Sequence, residues 1–307
     1  MNDLSTEPRL EPTEYRHFRV VPRTPVIGGS IEGINLEQMT DEVAEDLREA
    51  LWTYGVLFGK RQGLSFDAMK RVALAFGDRL EEHTFAPTLA EDGHPEVVVI
   101  ERLEGDRSKS TTDIWHHDVT ARKNPNIMSI LQAEQVPFGA DTMWSSMTAA
   151  YARLPEALRL MFTNLFIEHD SLYLMLRHDF GSASMTVEKM ASLQETHAHP
   201  AVVKHHATGR PCLFVGNGYV KRVRGYVTEV SDLVIKIANE MPKIPEIQVR
   251  HQWEPGDFAI WDNFATAHYG VSADIGNQVR RLYRVASWSE TVAPQPFCSS
   301  EGDSARA

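Results

Sequence analysis

Apolar residues Val43, Leu47, Leu51 and Tyr54 recur every three to four positions, the spacing that lines one face of an α-helix, and Gly55 follows as a stop signal. The next residues, GVLFGK, are a short unbroken apolar run and read as a buried strand. Helical spacing returns from Phe66 to Phe76, with Met69, Val72, Ala73 and Phe76 on one side. A third helix is predicted over Ser146 to Leu165, broken at Pro155, and a fourth over Val227 to Met241.

Between these helices lie the β-rich runs EVVVIER, IMSILQA, PCLFVG, DFAIWD and RLYRVASW, separated by Gly, Pro, Asn or Asp. They scatter over the whole chain without a regular βαβ alternation. That pattern predicts a mainly β fold, an antiparallel sandwich or jelly roll with flanking helices packed outside. The stretch from His178 to Pro200, rich in Ser, Met and Thr, reads as a lid or insertion, or equally as a surface loop with a short helix. No repeat or low-complexity segment is visible.

Length changes this picture little. The 307 residues are expected to form a single domain, with a core over about 20–292, while MNDLSTEPRLEPTEY and SSEGDSARA are expected to fray. A hydrophobic fraction of 42% and a charged fraction of 24% suit a folded soluble protein. The net charge of -11 comes with no basic stripe, which argues against nucleic acid as a partner. Cys212 and Cys298 cannot build a disulfide framework, and no signal-like N-terminus is present, so the expected location is the cytoplasm. No apolar run approaches the roughly 18 residues needed to span a bilayer.

Candidate chemistry begins in IWHHDVT. In an extended segment His116 and Asp118 project to one face and His117 to the other. Taken alone, the motif reads equally as a strand-end histidine beside a solvated aspartate. WDNFATAHYG adds His268 after another predicted strand. Two histidines and one carboxylate make a facial triad, which leaves positions on iron open for a cosubstrate and dioxygen and suits Fe(II) better than a cysteine-based metal site. In VRRLYRVASW, Arg280, Leu282 and Arg284 share one strand face, while Arg281 and Tyr283 share the other. Paired guanidinium groups bind carboxylates, although an exposed basic strand edge would show the same spacing.

Together these segments resemble the taurine dioxygenase, or TauD/TfdA, family of Fe(II)/2-oxoglutarate oxygenases: Trp115-His116-His117-Asp118, Trp261-Asp262-Asn263 with His268, the pair Arg280 and Arg284, and GADTMWSSMTAAYARLP. The resemblance covers most of residues 25 to 290. It implies a double-stranded β-helix (jelly-roll) core, metal ligands His116, Asp118 and His268, and a 2-oxoglutarate site at Thr142 and Arg280. By the same resemblance Arg284 faces either the cosubstrate or the substrate. The reaction it implies couples oxidative decarboxylation of 2-oxoglutarate by dioxygen to hydroxylation or oxidative cleavage of a small, anionic substrate. His83 matches the family's substrate histidine, but Ala86 and Thr112 stand where the taurine enzyme has an aromatic hydroxyl and an amide. A substrate other than taurine, larger or less polar, is therefore expected, with Thr112 among its contacts. A homodimer or tetramer is also implied. Two alternatives keep the fold: a Zn(II) hydrolase on the same ligands, and a binder without catalysis. His169, His178, His197, His199, His205, His206 and His251 fit no part of the pattern and read as structural or surface residues.

Overall fold

The computed structural model describes residues 9–84, 86–102, 113–177, 187–216, 218–271 and 278–298. Both terminal tails beyond these bounds, Thr112, and the 178–186 part of the expected lid lie outside the described residues. From 187 onward that stretch forms a helix, Val187–Ser192, and a strand, Thr196–Pro200.

The early helix runs Asp41–Tyr54. Thr40 caps its start by accepting from the Val43 amide, and Gly55, at φ 72, ends it while its N–H closes on the Leu51 carbonyl. Glycine takes that positive φ without the steric penalty of a side chain. The Val56–Gly59 strand follows with all four residues buried. Ser65 caps the second helix, Phe66–Leu74. Pro155 separates Met147–Arg153 from Glu156–Thr163, since proline cannot donate into a continuing helix. The fourth predicted helix is Thr228–Glu240.

Every predicted β-rich run lies in or overlaps a strand. The large sheet has the order Thr13–Glu14, Arg19–Pro22, Gly29–Glu32, Val56–Gly59, Phe258–Asp262, Met128–Gln135, Arg280–Trp288, His94–Arg102 and Thr88–Leu89, with Arg79–Leu80 also on Arg280–Trp288. Its described pairings are antiparallel except Gly29–Glu32 with Val56–Gly59. A second sheet carries Thr142–Ser146 between Gln248–His251 and Thr266–Gly270.

Packing explains why central strands read as apolar runs. On one side of the large sheet, Leu47, Leu51, Met69 and Val72 of the first two helices pack with Ile130, Phe258 and Val285. Between the sheets, Phe58, Leu131, Trp144, Trp253, Trp261 and Leu282 form a second buried cluster. A strand covered on both faces loses polar alternation, and each large side chain so buried contributes about 1.5–3 kcal/mol. The site lies at this seam.

Two of the histidines that fit no motif are structural. His169 donates or accepts through Nδ1 with the Thr120 hydroxyl at 2.9 Å, and His199 donates from Nε2 to the Thr120 carbonyl at 2.9 Å. Both are buried. Burial, reinforced by neighbouring imidazoles, holds His169 well below the usual histidine range and pushes His199 down to about 4. The unfolded chain therefore binds more protons than the folded one between about pH 6.5 and pH 4, and stability falls as pH drops through that window. Each such histidine adds a slope of up to about 1.4 kcal/mol per pH unit. Urea unfolding between pH 7 and pH 5 should reveal this slope, and His199→Gln should flatten it by close to one histidine's share.

Candidate active site

The turn after the Phe258–Asp262 strand builds one wall. Asp262 Oδ1 accepts from the amides of Phe264 and Ala265, and its other oxygen lies 2.8 Å from His205 Nε2. Asn263 then reaches across to the segment carrying Asp118: its Oδ1 accepts from the Asp118 amide at 2.7 Å, and its Nδ2 donates to the carbonyls of Asp118 at 3.0 Å and Asn126 at 2.9 Å. Its own carbonyl accepts from His117 Nδ1 at 2.7 Å, which turns His117 away from Asp118 into the core beside Phe214. Val119 follows at φ 46, where a β-branched residue is strained, so this backbone is over-determined by its partners. Gly216 packs against the same segment. A Cβ there would lie 3.0 Å from the His117 amide and 3.1 Å from His116 Cα.

Across the turn, His116 and His268 exchange backbone hydrogen bonds of 3.0 and 2.9 Å as an isolated antiparallel bridge. Their rings lie 4.1 Å apart, and Trp261 packs on His268 at 4.9 Å. Ligand atoms of His116, Asp118 and His268 all fall within 4.8 Å of one another, and this is the only such cluster of three found among the described residues.

Two of the three candidate ligands are held by polar neighbours. His116 Nδ1 donates to the Ile114 carbonyl at 2.7 Å, which fixes the tautomer and leaves the Nε2 lone pair available. Asp118 Oδ2 accepts from Ser129 Oγ at 2.9 Å and from Arg284 Nη1 at 2.8 Å, so Oδ1 is the oxygen left toward His268, 3.6 Å from its Nε2. Burial pushes both imidazoles down and keeps them neutral. For Asp118, burial works upward, but the Arg284 guanidinium and the Ser129 hydrogen bond outweigh it and hold the carboxyl far below its ordinary range. Two neutral imidazoles and a carboxylate fit a divalent metal of intermediate hardness.

The cavity beside this cluster measures about 400 Å³. Both Arg280 and Arg284 line it from the Arg280–Trp288 strand, while Arg281 and Tyr283 face outward onto Glu134. Arg280 has no carboxylate partner among the described residues, and burial, then Arg102, pushes its guanidinium down to about 10, still charged at neutral pH. Thr142 enters from the second sheet. Its hydroxyl oxygen accepts from Trp253 Nε1 at 2.9 Å, so its own proton is free to be donated. His83, Ala86 and apolar Val98, Ile100, Ile114 and Leu174 also line the cavity.

Sequence reading missed several residues here. Glu81 is almost fully buried and accepts from Arg284 Nη2 at 2.8 Å and Asn126 Nδ2 at 2.7 Å. Burial pushes its carboxyl up, but the Arg284 and Arg122 guanidinium groups carry it below its usual range. Nothing in LEEHTF separates this acid from its exposed neighbours. Ser129 sits inside the predicted IMSILQA strand and Trp253 just beyond the Gln248–His251 strand, and neither carries a motif. Tyr219 and Leu174 reach the cavity only through the fold.

Comparison with known proteins decides the family. Residues 19–286 match the model of the taurine catabolism dioxygenase TauD, TfdA family. The chain belongs to that family. It is similar to an alkylsulfatase from Acinetobacter baylyi, 32% identical over 293 residues, 92% of this chain and 87% of that protein. It is also similar to an alpha-ketoglutarate-dependent sulfate ester dioxygenase from Pseudomonas putida, 33% identical over 267 residues, 84% of this chain and 85% of that protein. The crystal structure of a taurine dioxygenase from Burkholderia xenovorans matches with a TM-score of 0.74 at 29% identity, covering 91% of this chain and 94% of that one. The chain is thus a dioxygenase with a jelly-roll core, and the hydrolase alternative is not favoured. Among the described residues no helix is long and apolar enough to cross a membrane.

Asn263→Ala should lower the unfolding free energy by about 3 kcal/mol or more, because three buried backbone groups lose their partners at roughly 1–3 kcal/mol each. Urea denaturation measures this directly. A loss below about 1 kcal/mol would mean that other contacts hold the turn.

Proposed function

We propose that His116, Asp118 and His268 hold iron(II), that Thr142 and Arg280 bind the distal carboxylate of 2-oxoglutarate, and that the substrate is an alkyl sulfate ester. The observation that carries this reading is one cavity with a three-donor cluster on its wall and a half-buried guanidinium, Arg280, lacking a carboxylate partner among the described residues. Iron, when bound, supplies the dioxygen chemistry that couples 2-oxoglutarate decarboxylation to substrate hydroxylation.

The chain's own residues supply position and a dry enclosure. Arg280 offers a charge and Thr142 a hydroxyl donor to one end of a dicarboxylate. Trp253, by donating to Thr142, keeps that hydroxyl pointed for donation. A set of two histidines and one carboxylate would leave positions on a bound metal open for small molecules. His83, pushed down to about 4 by burial, stays neutral and meets the substrate as a hydrogen-bonding group, with Thr112 a further contact implied by the family pattern.

The substrate class rests on shape and on two relatives. Val98, Ile100, Ile114 and Leu174 offer apolar surface, worth about 25 cal/mol per Å² buried, and Ala86 opens room beside His83. Taurine has little apolar body to fill it. The A. baylyi and P. putida relatives are named for alkylsulfatase and sulfate ester dioxygenase activity. Hydroxylation of the carbon bearing the ester oxygen gives an unstable intermediate whose C–O bond breaks, releasing an aldehyde and sulfate. The free thiols of Cys212 and Cys298 are compatible with a cytoplasmic location.

Succinate release measured with iron(II), ascorbate and 2-oxoglutarate should rise with octyl sulfate, stay at the uncoupled level with taurine, and vanish in Asp118→Ala. Stimulation by taurine equal to that by octyl sulfate would overturn the substrate assignment. For the cosubstrate, Arg280→Leu should weaken 2-oxoglutarate binding by roughly 2–5 kcal/mol, the range for truncating one partner of a buried charge pair. Thr142→Val should cost about 1 kcal/mol. Equal losses, measured by calorimetric titration, would contradict these roles.

A further inference from the structure

We propose that Glu81, a buried carboxylate behind the cavity wall, is a specificity-determining residue that restricts the substrate's polar end to a singly charged anion. This rests on the sulfate ester reading above and deepens it. Glu81 is only 1% exposed and does not line the cavity itself. Its Oε2 takes hydrogen bonds from Arg284 Nη2 and Asn126 Nδ2. Its Oε1, buried and without a hydrogen-bond partner, lies 3.8 Å from Arg122 Nη1 and 3.9 Å from His83 Nε2.

Arg284 therefore reaches the cavity with a carboxylate on each terminal nitrogen, Glu81 on one and Asp118 on the other. Arg122 is shared between Glu81 and the half-exposed Glu195, 3.2 Å from its Nε. An anion arriving beside His83 and Arg284 meets guanidinium charge that is already largely matched. The net attraction, that of the arginines less the repulsion from Glu81, grows in proportion to the ligand's charge, whereas the loss of hydration in an enclosed site grows as its square. With Glu81 cancelling much of the Arg284 charge, the net attraction offsets the hydration loss of one negative charge but not the much larger loss of two. A sulfate monoester carries one negative charge, and a phosphate monoester above about pH 6 carries two. Glu81 thus selects between two tetrahedral oxyanions of nearly equal size by charge alone.

The test compares octyl sulfate with octyl phosphate by calorimetric titration of the anaerobic protein loaded with iron(II) and 2-oxoglutarate at pH 8. Wild type should bind the sulfate more tightly. Glu81→Gln, which keeps the shape and removes the charge, should shift the affinity ratio toward the phosphate by about tenfold or more, while Glu81→Asp should keep the preference. The wild type alone supplies a check that needs no folded variant. Between pH 8 and pH 6 octyl phosphate gains monoanion, so its affinity relative to octyl sulfate should rise by about tenfold. A ratio that stays flat with pH, or that a folded Glu81→Gln leaves unchanged, overturns the role of Glu81 while octyl sulfate binding upholds the substrate class. If neither ester binds wild type, the substrate reading fails and this inference with it.

Discussion

A guanidinium sealed between two sheets has to be met by carboxylates, and the arrangement around Arg284 follows from that requirement. A lone buried charge costs several kcal/mol, and removal of one partner from a buried pair typically costs 3–5 kcal/mol. Arg284 sits on an interior strand of the large sheet with Asp118 on one terminal nitrogen and Glu81 on the other. The bond to Asp118 engages Oδ2 and leaves Oδ1 toward His268. The bond to Glu81 ties the Arg79–Leu80 edge, just before it, to the same centre.

The candidate metal cluster is assembled from backbone constraints as much as from side chains. Asn263 spends its amide group on Asp118 and Asn126 and its carbonyl on His117, so one residue sets the path of the segment carrying His116 and Asp118. The bridge between His116 and His268 brings in the third candidate ligand from the second sheet. Such rigidity matters because a ligand set displaced by even an ångström loses the geometry that a metal rewards. The strained Val119 backbone is affordable only within this network.

The cavity beside the His116, Asp118 and His268 cluster combines polar Arg280, Thr142, His83 and Arg284 with aliphatic Val98, Ile100, Ile114 and Leu174. Trp144, Trp253 and Trp261 share one buried cluster, in which Trp253 donates to Thr142 and Trp261 packs on His268, large rigid rings that hold those two groups with little entropy to lose.

Local pattern alone determined much of this protein. The periodicity of Val43 to Tyr54, the stop at Gly55, the break at Pro155 and the apolar runs that became strands all follow from backbone sterics and side-chain spacing. The alternation of His116 and Asp118, and of Arg280 and Arg284, likewise fixed which side chains share a face. Tertiary structure alone decided the rest. That His268 would meet His116, that Glu81 rather than Glu82 would be buried against Arg284, and that Trp253 would orient Thr142 depend on contacts between residues far apart in the chain. No local spacing records them, because a buried ion pair or a cross-sheet hydrogen bond is specified by where two strands are brought to lie, and that is settled only when the sheets close over a common core.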